Sequence, residues 1–76
     1  MKEITNEMLT ACLLFIQKSG GEVSRYSFDR YVTKNIRIPE SFNLVPTKLM
    51  EEGLIEMNAI GKEIKISLTP LGLARL

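Results

Sequence analysis

The hydrophobic period of this sequence changes at Gly53. Before it, apolar residues recur at spacings of three and four, as in Met8, Leu9, Cys12, Leu13, Phe15 and Ile16, then Phe28, Tyr31 and Val32, then Phe42, Val45 and Leu49. After it, Ile64, Ile66 and Leu68 alternate with Lys65 and Ser67. The first pattern buries one stripe of a helix and the second buries one face of a strand. The 76 residues are therefore read as one α+β domain over residues 1–76, with three helices followed by a two-stranded antiparallel hairpin.

Capping residues place the boundaries. Thr5 suits the N-cap of the first helix, with Glu7 facing the positive end of its dipole. This helix is expected to end near Ser19, before Gly20-Gly21. Leu14 falls on its polar side, alongside Thr10, Gln17 and Lys18. Glu22 and Val23 read as a short extended link. Ser24 or Ser27 then caps a second helix from roughly Arg25 to Lys34, with Asn35 at its C-terminus. Pro39 suits the first position of the third helix and Gly53 its end. Pro46 lies inside that helix and lacks an N–H, which predicts a kink or a break. Leu54 is expected to pack back on Leu49 or Met50.

Leu54 to Asn58 and Glu63 to Leu68 are the predicted strands, joined by a turn over Ala59 to Lys62 that uses Gly61. Thr69-Pro70 starts a short terminal helix or turn, from which Leu71, Leu73 and Leu76 are expected to close the core. The expected core is Leu9, Cys12, Ile16, Phe28, Tyr31, Phe42, Val45, Leu49, Leu54, Ile64, Ile66 and Leu68.

The tract Lys48-Leu49-Met50-Glu51-Glu52-Gly53-Leu54-Ile55 resembles the end of a recognition helix running into a wing. Ile66-Ser67-Leu68-Thr69-Pro70-Leu71-Gly72 resembles the junction that closes the wing in winged-helix regulators of the multiple-antibiotic-resistance and phenolic-acid types. The resemblance spans nearly the whole chain. It implies a winged helix-turn-helix of the kind found in small bacterial and phage transcriptional regulators. Winged helices also serve as protein-binding modules. Regulators of those two types continue into a long dimerisation helix after this junction. The sequence ends at Leu76, so their dimer arrangement is not carried over, although a homodimer remains allowed.

Catalysis finds little support. The chain has no histidine and one cysteine, Cys12, which sits in an apolar run and reads as a small buried hydrophobe. Glu51 and Glu52 are adjacent and point to different sides of a helix, so they do not form a catalytic pair. No metal-ligand set or glycine-rich phosphate loop is present, and no cofactor is expected. Met8 to Ile16 is too short to cross a membrane and its acidic flank does not fit a signal peptide. A cytoplasmic, non-enzymatic binding protein is the expectation.

Duplex DNA is the leading candidate partner. A winged helix that reads DNA places its third helix in the major groove. The outward face of that helix is expected to hold Glu40, Ser41, Asn43, Leu44, Thr47, Lys48 and Glu51. Asn43 can read adenine, Thr47 can meet a phosphate or a thymine methyl, and Lys48 is the one cation. Arg25, Arg30, Lys34 and Arg37 around the second helix, with Lys62 and Lys65 on the wing, are candidates to hold phosphates. Tyr26 stands among these cations and can hydrogen-bond a phosphate. The formal net charge is only +1, so the distribution of charge matters more than its total. The rival reading is a winged-helix protein-interaction module, such as a phage-encoded inhibitor docking on a host complex, with Leu14, Leu44 and Ile60 as apolar anchors.

Overall fold

The computed structural model describes residues 3–76. The elements run α1 (Asn6–Lys18), β1 (Glu22–Ser24), α2 (Arg25–Asn35), α3 (Ser41–Glu51), β2 (Ile55–Ile60), β3 (Glu63–Leu68) and α4 (Pro70–Ala74). The fold is α+β, with four helices and one antiparallel sheet of three strands in the order β1–β3–β2. The third strand is the segment that the sequence marked only as a link. Glu22, Val23 and Ser24 pair with Ser67, Ile66 and Lys65, so β3 is central.

Local chemistry explains most boundaries. Thr5 Oγ1 accepts the Met8 N–H at 3.2 Å and starts α1. Ser24, rather than Ser27, caps α2, its hydroxyl oxygen accepting the Ser27 N–H at 3.2 Å. Thr69 Oγ1 accepts the Gly72 N–H at 3.0 Å and also donates to the Gly53 carbonyl at 2.6 Å, so one hydroxyl joins the start of α4 to the end of α3. Gly53 has φ 73°, the left-handed geometry of a helix C-terminus. The hairpin turn is Gly61-Lys62, shorter than expected, because Ala59 and Ile60 continue β2 and pair with Ile64 and Glu63. Gly61 at φ 63° supplies the backbone that a two-residue turn needs.

The third helix differs most from expectation. It starts at Ser41, not Pro39, and Glu40 precedes it in a left-handed conformation at φ 62° with no side-chain cap. Ser41, expected to face outward, is buried, and its hydroxyl donates to the Ile36 carbonyl at 3.0 Å. That bond holds the end of α2 against the start of α3. The helix runs unbroken across Pro46. Pro46 cannot donate to the Phe42 carbonyl, and the Arg25 guanidinium does so instead, with Nη2 3.4 Å from that oxygen.

The core lies between the helices and one face of the sheet. Leu9, Cys12, Leu13, Ile16, Phe28, Val32, Val45 and Leu49 from the helices meet Val23, Ile55 and Ile66 from the strands. Four expected core members fall outside it. Phe42 is 42% exposed, because Ser41 and Val45 take the inward positions at the start of α3. Ile64 is also 42% exposed, because the hairpin carries it past the helices. Tyr31 and Leu68 are half-buried at the margin. Leu71, Leu73 and Leu76 do not close the core either and remain exposed, whereas Leu14 is exposed as its polar-side position implied. No helix among the described residues is long and apolar enough to cross a membrane.

Candidate nucleic-acid interface

Phe28 and Val32 fix the rotation of α2 by pointing into the core. At about 100° per residue, the opposite side of that helix then carries Tyr26, Arg30, Thr33 and Lys34, all of them exposed. Arg37 follows one residue past the C-cap and is exposed as well. The Arg30 guanidinium carbon lies 5.8 Å from the centre of the Tyr26 ring, a cation–π contact that holds the arginine along the helix surface. Asp29 is the one carboxylate on α2 and is bonded to Arg25 at 2.9 Å. Arg30, Lys34, Arg37 and Lys62 form no ion pair among the described residues.

The structure divides the predicted phosphate contacts into two groups. Arg30, Lys34 and Arg37 form the exposed row. Lys62 extends it, because the hairpin tip and Tyr26 line one shallow cleft. Arg25 and Lys65 are placed differently. Arg25 is half-buried between α2, α3 and β2, with Nε on Asp29, Nη2 on the Phe42 carbonyl and Nη1 3.7 Å from Met57 Sδ. Its guanidinium joins three elements. Lys65 is bonded to Glu63 at 3.3 Å. The strand register puts Lys65 on the outer sheet face with Glu22, Glu56 and Glu63, a surface that repels phosphate.

Three predicted contacts lie on α3. Asn43, Thr47 and Lys48 are exposed. The Thr47 hydroxyl donates to the Asn43 carbonyl at 2.9 Å. Lys48 lines one cleft with Asn43 and Thr47, and with Glu3, Ile4, Leu44 and Glu51. The first residues described therefore pass beside α3 and bring a carboxylate toward its only lysine. Met50, 46% exposed, belongs to the outer surface of α3 and escaped notice in the sequence, where it reads as part of the helix-to-wing tract. Its signal was its position seven residues after Asn43, two helical turns along the same side.

The remaining chemistry is quiet. Cys12 is fully buried, and burial pushes its thiol up to about 12. Such a thiol is a poor nucleophile. Tyr31 stacks on Phe15 with ring centres 4.3 Å apart, and burial raises its phenol, with a smaller contribution from Cys12. Among the described residues, no group of histidine, cysteine, aspartate or glutamate is arranged to hold a metal ion. Leu14, Leu44 and Ile60, the three apolar anchors of the protein-docking reading, are all exposed, but on three different elements.

No family model, curated protein or solved structure matches this chain.

Proposed function

We propose that the chain is a small winged-helix-type protein that binds duplex DNA and acts in the cytoplasm as a transcriptional regulator of bacterial or phage kind. In this reading β2 and β3 are the wing and α3 enters the major groove. The observation that carries it is the row Arg30, Lys34 and Arg37 along α2, continued by Lys62, in which no cation forms an ion pair among the described residues. The net charge is +1, and four of the chain's ten lysines and arginines fall in this row. Arg30, Lys34, Arg37 and Lys62 hold phosphates, while Asn43 and Thr47 face the bases. Arg25 and Lys65 leave the phosphate set, since their charges are matched within the molecule.

Fluorescence anisotropy with random duplex DNA at two salt concentrations tests this reading. Binding that weakens steeply with salt is the expected result. Absence of binding at low salt would instead favour a protein-docking role. That second reading is supported by the apolar exposure on α3, where Phe42 and Leu44 stand 42% and 47% open to solvent.

A further inference from the structure

We propose that the base pairs met by α3 are A·T pairs, recognised chiefly through the thymine methyl group. This deepens the duplex-binding reading and rests on it. Val45 is fully buried and marks the inward direction of α3. At about 100° per residue, Asn43, Thr47 and Met50 lie within about 40° of the opposite direction. They are exposed and uncharged, while Glu51, also exposed, stands about 60° from the same direction.

Each base pair shows a distinct edge in the major groove. Guanine shows two acceptors, N7 and O6, which are matched by arginine or lysine. The outer line of α3 contains neither. Lys48 is rotated about 120° from the outward direction; it lines one cleft with Asn43 and Thr47, where the carboxylates of Glu3 and Glu51 stand beside it. Adenine shows an acceptor beside a donor, which the carboxamide of Asn43 can match with both of its groups. Thymine shows an acceptor and a methyl group, the one apolar feature on that edge.

Thr47 and Met50 fit the methyl. The Thr47 hydroxyl proton is committed to the Asn43 carbonyl at 2.9 Å, so it is not available to a base acceptor. What Thr47 retains toward a base is its methyl group and the acceptor lone pairs of its oxygen. Met50 adds a flexible thioether one turn further along, 46% exposed although it is apolar. A reading surface made of one carboxamide, one methyl and one thioether matches adenine and thymine, and offers guanine only the N–H donors of Asn43.

The test titrates the full chain by anisotropy against four labelled duplexes of equal length. One is A·T-rich, and a second has the same sequence with deoxyuridine for thymidine, which removes the methyl and keeps the base pair. A third is G·C-rich, and the fourth is that duplex with every cytosine 5-methylated. The A·T-rich duplex should bind roughly tenfold tighter than the G·C-rich one. Deoxyuridine should remove most of that advantage, and 5-methylation should recover part of it. Thr47→Ser retains the hydroxyl bond and drops the methyl. It should weaken binding to the thymidine duplex and leave the deoxyuridine duplex unchanged.

An A·T preference that survives deoxyuridine would show that adenine or the minor groove is read in place of the methyl group, and would overturn the proposal. Equal or tighter binding to the unmethylated G·C-rich duplex would overturn it as well. Either result leaves duplex binding intact, whereas failure to bind all four duplexes at low salt removes both readings together.

Discussion

The Arg25 guanidinium reaches the main-chain carbonyl of Phe42 at 3.4 Å, the acceptor that Pro46 four residues later cannot satisfy. A side chain on α2 thus completes the hydrogen bonding of α3. Removing it should leave that exposed carbonyl to water and Asp29 without its partner. Arg25→Ala is expected to lower stability by about 0.5–1.5 kcal/mol. In a Pro46→Ala background position 46 has its own N–H, and the same change should cost less. Urea denaturation of the four proteins of this cycle measures the coupling, and additive effects would show that the two residues act independently.

Glu40 holds φ 62° without a side-chain cap. A residue with a Cβ is strained there by about 1 kcal/mol. Glu40→Gly is expected to raise the melting temperature. It also removes a carboxylate that shares a cleft with Lys34 and Arg37. DNA affinity should rise with it, most clearly at low salt. An unchanged melting temperature would show that the left-handed turn costs nothing here.

Gly72 is buried where α4 begins, and a Cβ there would collide with the main chain of Leu54. The obstruction is backbone, so it cannot swing away. The Leu54 carbonyl also accepts the Thr69 N–H at 3.2 Å. Gly72→Ala should therefore displace α4 and destabilise the fold by about 2–3 kcal/mol. Ala74→Gly, an exposed change in the same short helix, should cost less than half as much. Thermal unfolding of both variants separates collision from helix propensity.

Lys62 and Arg30 should contribute to duplex binding in the same way. With four phosphate contacts the log–log slope of affinity against salt is expected near roughly −3.6. Arg30→Ala or Lys62→Ala should weaken binding to every sequence and flatten the slope by about one unit. Lys65→Ala should leave it unchanged, since Lys65 is bonded to Glu63. A slope that responds equally to all three substitutions would contradict the division of cations drawn from the structure.

The Cys12 thiol gives a test in alkali. Its pKa rises from 9.0 to about 12 through burial, so the folded state keeps the neutral thiol while the unfolded chain ionises. The unfolded state then binds fewer protons, and stability falls as pH climbs from 9.0 toward about 12. Cys12→Val, similar in size and unable to ionise, should lose less stability over that interval. Native Cys12 should react with a thiol reagent only as fast as the protein opens. Rapid labelling at neutral pH would overturn this account.

Local chemistry was the most legible part of the sequence. Thr5, Thr69 and Gly53 mark ends that hydrogen bonds and φ angles explain in place. What escaped depended on distant partners. Glu22-Val23-Ser24 is too short to show alternation, and it is a strand because β3 lies beside it. Phe42 carried the right spacing for the core but lost the inward position once the chain turned at Glu40 and buried Ser41. Pro46 implied a kink or a break, and nothing near it in sequence announced that Arg25 would supply a donor. The cations were visible as residues. Which of them were already matched by acids was a question of three-dimensional placement.

The central position of β3 also governs how the molecule can assemble during synthesis. Val23 finds its strand partner only at Ile66, so the apolar sides of α1, α2 and α3 emerge from the ribosome long before the sheet that covers them exists. Closing so long a stretch of chain is slow compared with joining neighbouring helices. Until β3 is made the apolar residues of the three helices have no sheet to cover them, and aggregation and chaperone capture can compete with folding.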